Sequence, residues 1–445
     1  MWPEAEAAEV GGFVVADPGG RREMPMIAAG LARAGVLRML ATPFGAPAGT
    51  AEPKVMKWLP KRVRGRVGAE LRRRELPEVL NGPSVEHVGS VLDAIATASA
   101  RVRVINELVA PSLARLRASV FDHGVSKRLA ADDFGVVTVS GAAERTLQRA
   151  KELAIPSFLE CPVAHHRSAA RLLLEEARLQ PDYAATLQYH RLPAGFERRL
   201  DHEIELASKL LVLSSYQQKT FEEQGVGAEK LVMVPLGVDT EVFQPRPRPL
   251  DPFFRVLFVG QITQRKGISY LIEAFERARI PQSELLLLGH VVGTDAPWRG
   301  RDGLRHVPHV PPWALPEHYA AADVYVLPSL VEGFPLTAAE AMASGLPVIV
   351  SENTFAHDVI TDGDNGYVVP IRDSEAIAER LVALYRDASH RHEMGLAARK
   401  TAEEFSWERY GERVAVSLTN HAETLSRQPS REIGPSHRSA GAMNA

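Results

Sequence analysis

Short unbroken apolar runs alternate along this chain with longer segments whose apolar residues recur every three or four positions. The runs read as buried strands and the longer segments as amphipathic helices, the signature of a βα-repeating, mostly parallel architecture. The alternation is cleanest in the C-terminal half. There "RVLFVG" (from Arg255), "ELLLLG" (from Glu284), "DVYVLP" (from Asp323), "LPVIVS" (from Leu346) and "GYVVP" (from Gly366) are strand candidates. Their continuous hydrophobicity suits strands covered on both faces. "GISYLIEAFERAR" (from Gly267) follows the first of them, with Ile268, Leu271, Ile272 and Phe275 at helical spacing.

In the N-terminal half, "GGFVVADPGG" (from Gly11) reads as a strand ending in a glycine turn, and "MIAAGLARAG" (from Met26) as the helix after it. "FGVVTVSG" (from Phe134), "IPSFLEC" (from Ile155) and "SKLLVLSS" (from Ser208) are later strands. The proline-rich "QPRPRPLDPFF" (from Gln244) reads as an extended linker, because proline stiffens the chain and breaks helices. The expected organisation is an N-terminal domain over 1–243, a linker over 244–254, a C-terminal domain over 255–405, a closing helix over 406–425 and a disordered tail over 426–445. With 445 residues, two domains are the default. Two doubly wound domains would turn the carboxyl ends of their strands to a shared cleft, where open α/β sheets bind ligands.

Composition narrows the function. Apolar content of 45% and charged content of 24% are ordinary for a soluble globular chain, and the net charge of −3 gives no global attraction to nucleic acid. Cys161 is the single cysteine, the acidic start "MWPEAEAAEV" does not read as a signal peptide, and no apolar run approaches a membrane span. A cytoplasmic location is expected. Lys54 to Arg74 carries nine Lys/Arg and one Glu, with Trp58, Leu59 and Val63 interleaved. It reads either as a solvated segment or as a patch for the anionic inner face of a membrane.

The candidate chemistry lies in two loops. In "FVGQITQRKGISYL", Arg265 and Lys266 stand just before a helix start, where free N–H groups and the helix dipole favour an anion such as a diphosphate. In "LVEGFPLTAAEAMASGLPVIVS", Glu332 and Glu340 are separated by seven residues. Gly333 permits close backbone approach, and Pro335 sets the turn into a helix. Thr337 and Glu340 have the spacing of a capping box, which would make Glu340 structural. Both loops follow parallel strands of one sheet. Cations and amides for phosphates, beside carboxylates for ribose and sugar hydroxyls, describe a nucleotide-sugar site. Asp362-Gly-Asp364 imitates a metal motif but reads as a turn, so no metal is expected.

Together "GQITQRKG", the Glu-x7-Glu stretch, "DGDNGYVV" and "LVLSSYQQKTFEEQGVGAEKLVMVPLGVDTEVFQP" resemble the GT-B glycosyltransferases of family four, over roughly Ser208 to Trp407. The resemblance implies a GT-B fold of two Rossmann-like domains, with a late helix around Trp407 crossing back to the N-terminal domain. It implies a retaining, metal-independent transfer of sugar from a UDP- or GDP-sugar to a saccharide or lipid-linked hydroxyl, with no cofactor beyond that co-substrate. Carried over by position, Glu340 matches the glutamate on the ribose and Glu332 the one near the donor sugar. The amides of Gly333, Phe334, Pro335, Leu336 and Thr337 belong to the turn serving sugar and phosphate, in which proline itself has no N–H. Lys266 matches the diphosphate lysine. Gln261 stands where the family has arginine, and Arg265 could supply that charge.

On the N-terminal side, Gly19 and Gly20 match a glycine loop facing donor and acceptor, or make a plain tight turn. His165 and His166 follow a strand where relatives place a histidine near the reacting sugar, and the motif register favours His166. Competing readings are a nucleotide-sugar epimerase or phosphorylase on the same fold, or a non-catalytic nucleotide-sugar-binding subunit. A dinucleotide-dependent oxidoreductase is disfavoured, because neither "DPGGRRE" nor "GQITQRKG" supplies Gly-x-Gly-x-x-Gly.

Overall fold

A computed structural model describes residues 11–19, 22–43, 46–47, 75–80, 84–89, 103–187, 192–248 and 252–427. The basic stretch 54–74, expected as a solvated segment or membrane patch, and Gly20 of the expected glycine loop lie outside the described residues.

The first sheet has seven parallel strands: β1 (Phe13–Ala16), β2 (Leu37–Thr42), β5 (Val85–His87), β6 (Gly135–Val139), β7 (Ser157–Glu160), β8 (Lys209–Val212) and β9 (Leu231–Met233). Their order is β5-β2-β1-β6-β7-β8-β9, and a separate pair, β3 (Ala46–Pro47) with β4 (Glu75–Leu76), stands apart from it. The second sheet has six: β10 (Phe254–Val259), β11 (Ser283–Leu288), β12 (Leu304–Val307), β13 (Val324–Leu327), β14 (Val348–Ser351) and β15 (Tyr367–Val369), ordered β12-β11-β10-β13-β14-β15. Each order runs outward from its first strand in both directions, which is the doubly wound pattern. The apolar runs become strands because helices cover both faces: Val256 to Phe258, Leu285 to Leu288 and Val324 to Leu327 are all buried. Strands β2, β5, β9 and β12 have no counterpart among the runs picked out above. "LRMLAT" and "LRHV" are broken by charge, and β5 and β9 each have only three residues.

The N-terminal sheet is flanked by α1 (Glu23–Arg33), α2 (Arg103–Ser126), α3 (Glu144–Glu152), α4 (His166–Leu179), α5 (Ala194–Leu206) and α6 (Ser215–Glu222). The C-terminal sheet is flanked by α7 (Ile268–Ala278), α8 (Leu315–Ala320), α9 (Leu336–Ala343), α10 (Ala356–Val359), α11 (Ser374–Arg386) and α12 (Ala388–Glu403). The last helix, α13 (Trp407–Arg427), leaves the C-terminal sheet and lies along α1 of the other domain. Val238 N donates to the Phe405 carbonyl, and Trp407 and Tyr410 are buried at the crossing. No helix among the described residues is long and apolar enough to cross a membrane.

Two glycines let α13 come this close. A Cβ on Gly30 would stand 2.1 Å from the Gly411 carbonyl oxygen, and one on Gly411 would stand 2.9 Å from the Met26 carbonyl oxygen. Gly30→Ala must therefore push α13 away from α1. Overpacking of this kind destabilises by about 1–3 kcal/mol. Chemical denaturation should show a loss in that range, and an unchanged midpoint would mean the helices do not cross there.

Candidate functional site

Ligands of doubly wound sheets gather where the strand order reverses. In the C-terminal sheet that point lies between β10 and β13, so the loops after these strands stand side by side. After β10, the Thr263 hydroxyl accepts from Arg265 N at 3.3 Å and starts a 3-10 turn over Gln264–Lys266. Gly267 ends it at φ +72°, where a Cβ would come within 2.0 Å of the Pro328 carbonyl oxygen. Only glycine tolerates both that angle and that contact. The Lys266 side chain runs past Gly260, whose own φ is +138°.

Lys266 and Arg265 then meet Glu332, which follows β13. Lys266 Nζ lies 2.7 Å and Arg265 Nη1 2.8 Å from Glu332 Oε1, and Arg265 Nη1 also donates to the Val331 carbonyl at 2.8 Å. All three side chains are buried. Burial alone would push the Glu332 carboxyl up, but the two cations outweigh it and hold it at about 2. Burial lowers the Lys266 ammonium from its ordinary value, with Glu332 opposing that. The cluster is thus an ion triad with one surplus positive charge, closed over by the N-terminal domain. A Cβ on Gly333 would lie 2.6 Å from the Pro162 carbonyl oxygen and 3.4 Å from Gln217 Oε1. Phe334 packs on Phe355 at 4.8 Å and anchors the loop in the core. Gln261 is exposed on the rim.

The capping box does not form. Helix α9 begins at Leu336 with Pro335 as N-cap and no side-chain cap. Thr337 and Tyr325 share a hydrogen bond of 2.7 Å between their hydroxyls, so Thr337 points to the strand beneath. The Glu340 carboxylate instead accepts from the Tyr319 hydroxyl at 2.8 Å, and Tyr319 also donates to the Thr337 carbonyl at 3.2 Å. Burial raises the Glu340 carboxyl to about 7, against the pull of the Tyr319 hydrogen bond and of Arg22. Arg22 reaches in from the start of α1, pairs with Asp239 at 2.7 Å and stacks over Trp407 at 5.6 Å. Tyr319, Tyr325, Arg22 and Asp239 escaped the sequence reading. The "GVD" triplet was the one signal available for Asp239, while two tyrosines in apolar segments read as core.

The N-terminal candidates separate. Gly19 sits at φ +103° in a turn closed by its N–H on Asp17 Oδ1 at 2.9 Å. The contacts of His165 and His166 are with α4, α5 and α6. His165 caps α4, accepting from Arg167 N at 3.2 Å, and stacks on His166 at 4.4 Å. His166 Nε2 lies 3.1 Å from Asp201 on α5. Burial lowers both imidazoles, His165 to about 4, so both are neutral at physiological pH. Among the described residues, His165, His166 and Asp201 are the group whose ligand atoms converge as a metal would need. Arg167 Nη2 already lies 2.6 Å from Asp201, supplying the positive charge an ion would bring. A cleft of about 1080 Å³ lies alongside, between α4, Tyr216 and Lys219 of α6, and Asn353. The segment around Asp362 is a turn, with Asp362 Oδ1 accepting from Val368 N at 2.8 Å.

The architecture defines a class: two parallel Rossmann-like domains, with a crossing helix, form the GT-B glycosyltransferase fold. Sucrose-phosphate synthase from Thermosynechococcus elongatus superposes with a TM-score of 0.58 at 18% identity, covering 93% of this chain and 98% of that one. The Anabaena protein HepE in complex with UDP-glucose superposes at 0.56 and 14% identity, covering 92% and 98%. Residues 240–401 match the family described as "Glycosyl transferases group 1". Among curated relatives, D-inositol 3-phosphate glycosyltransferase of Xylanimonas cellulosilytica is 30% identical over 52% of this chain and 61% of its own length. The GDP-mannose-dependent alpha-(1-6)-phosphatidylinositol monomannoside mannosyltransferase of Mycolicibacterium smegmatis is 28% identical over 51% and 65%. The matched regions thus span less than two thirds of these two relatives.

Two expectations follow from the electrostatics. Glu332→Gln would leave Arg265 and Lys266 buried beside each other without their anion, and breaking a buried pair in this way typically costs about 3–5 kcal/mol. Thermal melts should show that loss. Equal melting of variant and wild type would contradict the triad. Glu340 accepts a ligand hydroxyl best when ionised, and its raised carboxyl, at about 7, loses its proton only near neutrality. The affinity of a ligand held there through a hydroxyl should therefore climb as pH rises through about 6 to 8, and the climb should vanish in Glu340→Gln. Tyr319→Phe removes a hydrogen bond that favours the ionised form, so it should move the climb to higher pH. Titration calorimetry across that range checks both.

Proposed function

We propose that the chain is a retaining glycosyltransferase that moves a sugar from a UDP- or GDP-sugar to a hydroxyl of a saccharide or lipid-linked acceptor. The observation that carries this reading is the triad of Glu332, Lys266 and Arg265 at the switch point of the C-terminal sheet. A buried pair of cations held together by one carboxylate is ready to exchange that carboxylate for a diphosphate. With the donor bound, Lys266 and Arg265 neutralise charge developing on the leaving diphosphate, a preorganised electrostatic contribution to catalysis. Glu332 is released towards the hydroxyls of the donor sugar. The Glu340 oxygen not held by Tyr319 accepts from the ribose hydroxyls, while N–H groups of the turn into α9 face phosphate.

Transfer then breaks the bond between the anomeric carbon and the diphosphate oxygen. The acceptor oxygen bonds to the same face of that carbon, and the acceptor proton passes to the departing phosphate. Retention is supported by the family resemblance of the Glu-x7-Glu stretch. The acceptor class is supported by the relatives, whose names specify an inositol phosphate and a phosphatidylinositol mannoside. His166, the histidine expected near the reacting sugar, has its Nε2 3.1 Å from Asp201.

The test is turnover with UDP- and GDP-α-sugars against polyol-phosphate and lipid-linked saccharide acceptors, the product anomer being read by NMR. An α-linked product is expected. A β-linked product would sink the retaining mechanism, and release of an isomerised donor without acceptor would favour an epimerase. Lys266→Ala should weaken nucleoside-diphosphate binding by about tenfold or more, as loss of a charged hydrogen bond to phosphate does.

A further inference from the structure

Glu176 plays no part in the scheme above, yet its side chain is fully buried. It projects from α4 of the N-terminal domain, and each donor the structure gives it belongs to the C-terminal domain. Its Oε1 accepts from Gln264 Nε2 at 2.7 Å and from the Tyr270 hydroxyl at 2.9 Å, and its Oε2 accepts from Arg372 Nε at 2.8 Å. Gln264 is the first residue of the turn that carries Arg265 and Lys266. Its amide is fixed further by Ser269, whose N–H donates to Gln264 Oε1 at 3.1 Å.

A second contact grips the same turn. The Thr263 hydroxyl donates to the Thr186 carbonyl at 2.5 Å, and Gln264 N donates to the Thr186 hydroxyl at 2.9 Å. Arg372 holds its place at φ +64°, a left-handed angle that a non-glycine residue keeps only when its surroundings demand it. Its guanidinium also meets Glu175 at 3.1 Å.

We propose that Glu176 is a positioning residue that couples closure of the two domains to the placement of the phosphate-binding turn. A buried carboxylate must have its donors, so Glu176 is satisfied in the dry interface only when Gln264, Tyr270 and Arg372 are all in register. With the domains apart it is hydrated, and Gln264 loses the contact that fixes the turn. Arg265 and Lys266 are therefore set for a diphosphate only in the closed molecule. The proposal rests on the reading of these two cations as the diphosphate site.

The experiment is titration calorimetry of the full chain with UDP, GDP and ADP and with the matching monophosphates. If the wild type binds none of the diphosphates, the donor reading falls and this proposal with it. If it binds one, Glu176→Gln should raise the Kd of that diphosphate about tenfold, a coupling of ordinary size. The Kd of the monophosphate should stay within about twofold. An unchanged diphosphate Kd overturns the proposal and leaves the donor reading standing. Equal losses for both nucleotides also overturn it, since they mark a clamp on the domains with no hold on the turn. Should Glu176→Gln fail to fold by circular dichroism, Tyr270→Phe removes one donor and keeps the charge pair. It should give a smaller loss of about threefold, still confined to the diphosphate.

Discussion

The interaction on which the site depends is the buried contact of one carboxylate with two cations. Glu332, Lys266 and Arg265 come from loops that are 66 residues apart in sequence, and each would be costly to bury alone. The doubly wound topology removes that difficulty, because β10 and β13 are neighbours at the point where the strand order reverses. The loops after them cannot avoid each other. Gly267 and Gly333 then allow the backbones to approach closely enough for salt-bridge distances, against Pro328 on one side and Pro162 on the other.

Around this triad the two domains are fastened at several places. Gly333 lies against the Pro162 carbonyl and Gln217 of the N-terminal domain, where Gln217 steadies the segment after β7 by donating to the Val163 carbonyl at 2.8 Å. Ser215 N donates to Asp358 at 2.8 Å, joining the start of α6 to α10. Helix α13 returns from the C-terminal sheet to α1, and its Trp407 lies under Arg22, whose charge is felt at Glu340. Domain closure, the crossing helix and the ionisation of Glu340 are thereby parts of one electrostatic arrangement.

Much of this was legible in the sequence, for local reasons. Strands covered on both faces must be apolar throughout, so runs such as "ELLLLG" and "DVYVLP" announce themselves. Lys266 and Glu332 stood out because cations before a helix start, and an acid before a glycine-proline turn, are locally unusual. Glu340 was visible too, but with two competing roles. The capping box failed because its choice is not local: Tyr325 from the strand below takes the Thr337 hydroxyl, and Tyr319 from another helix takes the Glu340 carboxylate. The partners of the two histidines are just as non-local: His165 caps α4, and the His166 ring faces Asp201 on α5.

By itself, then, the sequence determined the βα alternation, the strand-end loops and the chemical groups they carry, because periodicity and turn chemistry act between near neighbours. Tertiary structure alone decided which of those groups meet. It joined Glu332 to both cations, gave Glu340 a tyrosine partner, and sealed Glu176 between the domains. Each of these depends on elements far apart in the chain being packed to within a hydrogen bond of each other, and no local pattern records that distance.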